Sequence, residues 1–173
     1  MAGRIGFALA RSAGAWNIKN KDELMSNIES PEGLAVVQAA CRELVARSAY
    51  CVDQQDYQAF AELFAEDGRL ARPGGAWLSG RAEILASYQG RPADRITRHV
   101  VGNTVFIDTQ AGSAKAVSYL VLWSTSAGEA VEAFGRKANA RQVLGEFHDS
   151  FVKTEQGWRI AQREAEFIMY KDQ

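Results

Sequence analysis

The stretch Ile96-Thr97-Arg98-His99-Val100-Val101 marks the point at which the hydrophobic period of the sequence changes from that of a helix to that of a strand. From here, β-branched and aromatic residues are concentrated in four long segments, at about 96–108, 114–125, 142–154 and 157–170. Turn residues at Asp108 to Gly112 and at Glu155-Gln156-Gly157 separate two pairs of these segments. This spacing predicts antiparallel hairpins.

The sequence before this point has helical periodicity. Ser30 is a suitable N-cap and Pro31 favours a first helical position, so a long amphipathic helix is predicted to begin there. Its last turn carries Tyr50 and Asp53. Asp56 can cap a second, shorter helix that we expect to end at Asp67-Gly68. The apolar and small residues of the first helix recur at spacings of three and four: Leu34, Val37, Cys41, Leu44, Val45, Ser48 and Val52.

Two short strands and a third helix complete the predicted elements. The strands are expected at Arg69 to Arg72 and at Ala76-Trp77-Leu78, on either side of a Pro73-Gly74-Gly75 turn. The third helix is expected at 80–88. Helices followed by strands, without βαβ alternation, predict an α+β domain with the helices on one face of a curved antiparallel sheet.

Length and composition predict one domain without a nucleic-acid partner. A chain of 173 residues fits a single core, which we place at 31–173, after an N-terminal arm or extension at 1–30 with no sustained period. The net charge of -1 argues against binding to phosphates or to anionic lipid. The N-terminal apolar stretch is too short for a signal peptide.

The two cysteines favour a cytoplasmic protein. Cys41 and Cys51 fall in the same predicted helix, about 15 Å apart, which is too far for a disulfide. We therefore interpret them as reduced thiols. No apolar run is long enough to span a bilayer, so we also expect no membrane association.

The chain has only two histidines, and both fall in predicted strands. Histidine titrates nearest neutrality, so a histidine paired with a carboxylate can transfer protons. Asp53, at the end of the first helix, could supply that carboxylate to His99. On the residues alone an alternative is equally open, in which His99 is a satisfied strand histidine and Asp53 caps the turn after the helix.

The order of several local strings resembles the nuclear transport factor 2-like superfamily, in particular its SnoaL-like branch. The strings cover about residues 31 to 171, and their order is more specific than any one of them. They are Tyr50-Cys51-Val52-Asp53-Gln54-Gln55-Asp56-Tyr57, Leu63-Phe64-Ala65-Glu66-Asp67-Gly68, Gly80-Arg81-Ala82-Glu83-Ile84, Thr97-Arg98-His99-Val100-Val101-Gly102-Asn103, Gly145-Glu146-Phe147-His148-Asp149 and Gly157-Trp158-Arg159-Ile160-Ala161.

The resemblance implies a cone-shaped α+β barrel, in which a strongly curved sheet wraps the first helix and leaves an apolar pocket at its open end. In family enzymes such as the scytalone and bile-acid dehydratases and a dehydrochlorinase, an Asp at the helix end meets a His on the first long strand. These positions match Asp53 and His99. A catalytic Tyr of the bile-acid dehydratase falls here on Ser48, which is a departure from the pattern.

These observations predict a cofactor-independent lyase or isomerase that acts on a hydrophobic cyclic small molecule. His99 would be the general base and Asp53 its partner. Further candidates for an acid or for substrate binding are Tyr50, Tyr119, His148 and Asn103. A metal triad of His99, His148 and Asp53 or Asp149 would have a suitable composition, but nothing in the spacing requires it, and we expect no metal or cofactor.

Two other functions and a homodimer remain open at this point. The β subunits of aromatic-ring-hydroxylating dioxygenases share the implied fold, so the chain could be a non-catalytic subunit that binds an iron-bearing α subunit. It could also be a module that binds a small molecule without chemistry. Because a sheet with helices on one side leaves its other apolar face uncovered, we expect a homodimer.

Overall fold

The computed structural model describes residues 30–172. The predicted arm at 1–30 therefore lies outside the described residues, apart from Ser30. Helix α1 spans Pro31–Asp53, α2 spans Tyr57–Glu62 and α3 spans Gly80–Gln89. The strands are β1 (Phe64–Ala71), β2 (Trp77–Ser79), β3 (Arg95–Thr109), β4 (Ser113–Ser126), β5 (Val131–Glu132), β6 (Gly135–Arg136), β7 (Gln142–Thr154) and β8 (Gly157–Lys171).

Helix α1 begins and ends as its sequence predicts. The Ser30 hydroxyl accepts a hydrogen bond from the backbone N–H of Gly33 at 3.1 Å, and Pro31 occupies the first turn. The helix stops before Gln55, whose φ of 59° is left-handed. The Gln55 amide then donates to the backbone oxygens of Ala93 and Arg95. This contact holds the end of α1 against the start of β3.

The main sheet is curved and mixed, with strand order β2-β1-β8-β7-β4-β3. The four long strands pair antiparallel, as predicted. The pairing of β1 with β8 is parallel, which the predicted all-antiparallel sheet did not include. No hairpin joins β1 to β8, which are far apart in the chain, so chain connectivity does not impose an antiparallel pairing on them. Strands β5 and β6 form a separate two-stranded hairpin.

The end of α2 differs from the prediction. The helix ends at Glu62, and β1 already includes Asp67 and Gly68, which were expected to terminate the helix. The Leu63 carbonyl accepts a hydrogen bond from the Ile160 N–H at 2.9 Å, which draws this segment into the sheet. Between Phe64 and Arg69, β1 advances by five residues while its partner β8 advances by only two. Asp67 and Gly68 therefore lie in a bulge.

The core lies between the concave face of the sheet and the helices. Helix α1 packs its buried side, including Val37, Cys41 and Val45, toward β3, β4 and β8. The largest fully buried side chains are Phe60, Phe64, Phe151, Leu70, Ile84 and Ile160. Alternate residues of β4 are buried, so the sheet has an inner face on the core and an outer face away from it.

Two further features are the state of the cysteines and the length and apolar character of the helices. Cys41 and Cys51 are both buried and free. No helix among residues 30–172 has the length and apolar character needed to cross a membrane.

Candidate active site

The structure brings Asp53 and His99 into direct contact. His99 Nδ1 lies 2.6 Å from Asp53 Oδ1. The backbone N–H of His99 donates to Asp53 Oδ2 at 2.7 Å, and the Thr97 hydroxyl donates to Oδ1 at 2.8 Å. Asp53, in the last turn of α1, therefore contacts Thr97 and His99 on β3 through one carboxylate. This contact fixes the position of the imidazole ring.

The surroundings of this pair keep Asp53 ionised. Burial raises the pKa of Asp53, but the hydrogen bonds from His99 and Thr97 and the charge of His99 outweigh it and hold the pKa below its ordinary value. The His99 and Asp53 side chains are only 13% and 7% exposed. A carboxylate at Nδ1 favours the tautomer that carries its proton there, which leaves the Nε2 lone pair available.

His99 separates Asp53 from a cavity of about 410 Å³. His99 lines this cavity, whereas Asp53 does not. Within residues 30–172, no hydrogen bond reaches the Nε2 atom of His99. This nitrogen is therefore free to act on a molecule in the cavity.

The cavity is less apolar than the resemblance implied. One part of its wall is apolar, with Val52, Phe60, Leu70, Leu120, Leu122 and Phe147. The rest of the wall includes four arginines, Arg72, Arg91, Arg95 and Arg163. Hydrophobic enclosure and positive charge are thus present in the same cavity.

Tyr88 supplies a phenol to the cavity wall. Its ring packs on Phe60 at 4.5 Å and on Tyr57 at 5.8 Å between centroids. Burial raises the pKa of Tyr88 above its ordinary value, although the nearby arginines oppose this effect. At neutral pH the hydroxyl is therefore protonated and able to donate a hydrogen bond.

Arg163 is held in a buried network rather than left free for a ligand. Its Nε and Nη2 atoms donate to the two Asp149 oxygens, each at 2.7 Å, and Nη1 donates to the Ser48 hydroxyl at 2.7 Å. The guanidinium also lies 4.1 Å above the Phe147 ring. Asp149 neutralises its charge, so this network joins α1, β7 and β8 at the cavity wall.

Two of the further candidates face away from the cavity because of strand alternation. On β4 the residues on either side of Tyr119 are buried, and Tyr119 itself is exposed on the outer face. His148 is likewise exposed between buried Phe147 and Asp149, and its Nε2 pairs with Glu146 Oε2 at 3.0 Å. The cavity lining contains neither residue, so neither joins His99 at this cavity as predicted.

Asn103 and Tyr50 are also displaced from the predicted site. Strict alternation along β3 predicts that Asn103 shares the face of His99, but a bulge between Val101 and Thr104 shifts the register and leaves Asn103 exposed. Tyr50 is 66% exposed on α1. Neither residue lines the cavity.

A metal triad is not assembled by the described residues. Within residues 30–172 there is no group of three or more His, Cys, Asp or Glu side chains that could hold a metal ion. The physical reason is that His99 lies on the inner face of the sheet and His148 on the outer face.

Sequence reasoning did not identify Tyr88 or the arginines as site residues. They come from the end of β1, the end of α3, the start of β3 and, for Arg163, from β8, and these segments are adjacent only in the folded chain. Arg95 could have been predicted, because alternation along β3 places it on the same face of the strand as Thr97 and His99. For Arg72, Arg91 and Tyr88 no sequence signal was available.

Comparison with known proteins agrees with the fold. A family model described as a SnoaL-like domain matches residues 36–164. No curated protein matches the sequence. A solved structure from Novosphingobium aromaticivorans, an NTF2-like protein with a cystatin-like fold, is 26% identical, with a TM-score of 0.61 over 82% of this chain and 92% of that chain.

Two further similar structures are named for elimination chemistry. One, also from Novosphingobium aromaticivorans, carries the provisional name scytalone dehydratase and has 20% identity, a TM-score of 0.67, and coverage of 80% of this chain and 89% of that chain. The other is a hexachlorocyclohexane dehydrochlorinase with 11% identity, a TM-score of 0.67, and coverage of 80% and 90%. At these identities the likeness establishes a shared fold.

Proposed function

Since this chain belongs to the SnoaL-like domain family, we propose that it is a cofactor-independent lyase or isomerase that acts on a cyclic, largely hydrophobic small molecule. The observation that carries this proposal is the contact of 2.6 Å between His99 Nδ1 and Asp53, with His99 lining the cavity. The names of the dehydratase and dehydrochlorinase structures agree with it.

The proposed chemistry is proton abstraction by His99. Nε2 takes a proton from a carbon next to a carbonyl group, and the Asp53 carboxylate stabilises the imidazolium that results. The electron pair left on carbon moves toward the carbonyl oxygen. The proton can then return to another atom, which is isomerisation, or protonate a leaving group, which is elimination.

Tyr88 is the proposed hydrogen-bond donor to the developing oxyanion. It replaces Tyr50 and Tyr119, which lie outside the cavity. A preorganised donor in a site with limited water stabilises charge that develops in the transition state. Phe60 and Leu120 belong to the apolar part of the cavity wall.

Deuterium exchange into a cyclic ketone tests this proposal. With 2-tetralone in D₂O, we expect the protein to accelerate exchange at the carbons next to the carbonyl, measured by proton NMR. His99→Gln should lower the rate by at least about 100-fold, because general base catalysis contributes about 10²–10⁴-fold. Asp53→Asn should also lower it, since the imidazolium loses its carboxylate.

The second histidine supplies the matched control. His148 lies on the outer face of the sheet, so His148→Gln should exchange at the wild-type rate. Circular dichroism checks that each variant is folded. A folded His99→Gln variant that exchanges as fast as wild type contradicts the proposed mechanism.

The exposed outer face of the sheet favours a second candidate, a non-catalytic subunit. Apolar residues remain uncovered there, including Val100 at 59% and Ile107 at 68% exposure. An iron-bearing dioxygenase α subunit could cover them. Co-purification of such a subunit from the native cell, together with no His99-dependent exchange, is the result expected of this candidate.

A further inference from the structure

Three arginines converge on the cavity from three different elements. Arg72 follows β1, Arg91 follows α3, and Arg95 is the first residue of β3. The Arg72 and Arg91 guanidinium groups lie 5.6 and 5.4 Å from the centre of the Tyr88 ring. All three line the cavity that His99 also lines.

None of the three arginines has a carboxylate partner among residues 30–172. The ion pairs in this part of the chain involve Arg141, Arg163 and the two histidines. The only hydrogen bond described for these three guanidinium groups runs from Arg72 Nη1 to the Ser87 carbonyl, at 3.5 Å. The one acidic residue described in the cavity lining, Glu166, forms no ion pair with them. Their positive charge is therefore unbalanced.

The three arginines lie close enough to one another for their like charges to repel. Burial, followed by the like charges of Arg91 and Arg72, lowers the pKa of Arg95 below its ordinary value. Solvated surface arginines normally point apart, whereas Arg72 and Arg91 both lie beside the Tyr88 ring and Arg95 lines the same cavity. Arg91 is half-buried, which reduces its access to water, whereas Arg72 and Arg95 are exposed. A bound anion would relieve this repulsion.

We infer that Arg72, Arg91 and Arg95 bind an anionic group of the substrate, a carboxylate or a phosphate ester, carried on an apolar ring system. As a statement of substrate class, this inference rests on the proposed function. Planar guanidinium groups bind either anion through paired hydrogen bonds. The apolar wall would hold the rings.

The spacing along β3 fits this arrangement. Arg95 and His99 have the same parity on the strand and are four residues apart, so their Cα atoms are separated by about 13 Å. An anion bound near Arg95 would thus be separated by about the length of a ring system from the carbon that His99 deprotonates. The arginines would orient the substrate and His99 would act on it.

Calorimetric titration with matched probes tests the inference. The probes are 2-naphthoate, 2-naphthyl phosphate and the neutral 2-naphthamide, which has nearly the same shape as the carboxylate. We expect wild type to bind at least one anionic probe at least about tenfold more tightly than the amide, because charge-assisted hydrogen bonds are the stronger ones. The preferred anionic probe identifies the group.

Charge-removing variants locate the site. Arg95→Gln should weaken binding of the preferred anion by about tenfold, and Arg72→Gln/Arg91→Gln/Arg95→Gln should abolish the preference over the amide. Arg141→Gln is the matched control, since Arg141 is on the surface, pairs with Asp172 and does not line the cavity. It should retain the wild-type preference. Circular dichroism verifies that the variants are folded.

The result that would overturn the inference is a wild-type protein that shows no preference for either anion, or a preference that survives in the folded triple variant. This outcome is distinct from failure of the proposed function. An anion preference without His99-dependent exchange would retain the arginine site and remove the enzyme. His99-dependent exchange without an anion preference would retain the enzyme and overturn the arginine site.

Discussion

Both oxygens of the Asp53 carboxylate accept hydrogen bonds, so this residue couples the stability of the fold to pH. Its pKa is lower in the folded protein than the ordinary value of about 3.9. The stabilisation is therefore fully present above that ordinary value and is lost as the pH falls through the folded pKa.

Asp53→Asn should reveal this dependence. The asparagine has one oxygen and one amide group, so one of the donors that Asp53 satisfies loses its acceptor, at a cost of about 1–3 kcal/mol. Urea unfolding at several pH values should show this deficit at neutral pH, and the two proteins should converge below about pH 4. A deficit that stays constant down to pH 3 would contradict the depressed pKa of Asp53.

The Arg163–Asp149 pair gives a second prediction at this scale. Asp149→Asn leaves the buried guanidinium of Arg163 without its counter-charge, and breaking such pairs costs about 3–5 kcal/mol. The free energy of unfolding in urea measures this loss. Asp172→Asn is the control, because it breaks the exposed pair with Arg141 and should leave the unfolding midpoint unchanged. Equal midpoints for both variants would show that burial of the Arg163 pair is unimportant.

Local sequence patterns predict two residues of the candidate site. Asp53 follows from the end of a periodic helix, and His99 from a strand pattern that resembles a family. Tyr88 and Arg91 could not be predicted, because the sequence gives no indication of which residues of α3, or of the segment that follows it, meet the cavity. The buried pairing of Asp149 with Arg163 depends on register between β7 and β8, which a single sequence does not specify.

At the scale of elements, a bulge in the β7–β8 pair shapes the cavity. Gly145 pairs with Phe167 while its neighbour Leu144 pairs with Met169, so Ile168 is the extra residue. Three consecutive residues, Ala165 to Phe167, line the cavity, which a regular strand would not allow. The distorted strand therefore accounts for part of the cavity wall.

Gly145→Ala tests how closely these strands must approach. A Cβ at Gly145 would lie 2.5 Å from the Glu166 carbonyl oxygen, so the backbone of β8 would have to move. We expect destabilisation by about 1–3 kcal/mol in urea unfolding.

Gly102→Ala is the matched control, since a Cβ there would meet only the Tyr119 carbonyl oxygen, at an ordinary 3.8 Å. It also lies next to a bulge in a long strand. Equal stability of the two variants would indicate that the close approach at Gly145 is unimportant.

Predictability differs between the elements for physical reasons. The long strands and α1 were predicted nearly to their ends, because each has a sustained period and clear turns or caps. The boundary between α2 and β1 was not, because Leu63 and Phe64 fit a helical stripe and a strand equally well. The hydrogen bond from Ile160 to Leu63, distant in sequence, decides between them.

At the scale of the whole molecule, the outer face of the sheet carries apolar side chains that the described residues leave uncovered. They come from β3, β4 and β8 and include Val100, Val105, Ile107, Tyr119, Trp123 and Met169. Apolar patches of this kind mark association surfaces. We therefore expect a homodimer that buries this face, which agrees with the expectation from the one-sided arrangement of the helices.

A pair of charge insertions tests the dimer and its location. Val100 on the outer face and Val36 on α1 are similarly exposed, at 59% and 70%, so a glutamate at either position should leave the monomer fold intact. In a dimer through the sheet, Val100→Glu buries an unpaired charge at the interface, which should weaken association by at least about 100-fold. Val36→Glu should sediment like the wild-type dimer. A monomeric wild type in sedimentation velocity, or dissociation caused by Val36→Glu alone, would contradict a dimer formed through the outer face.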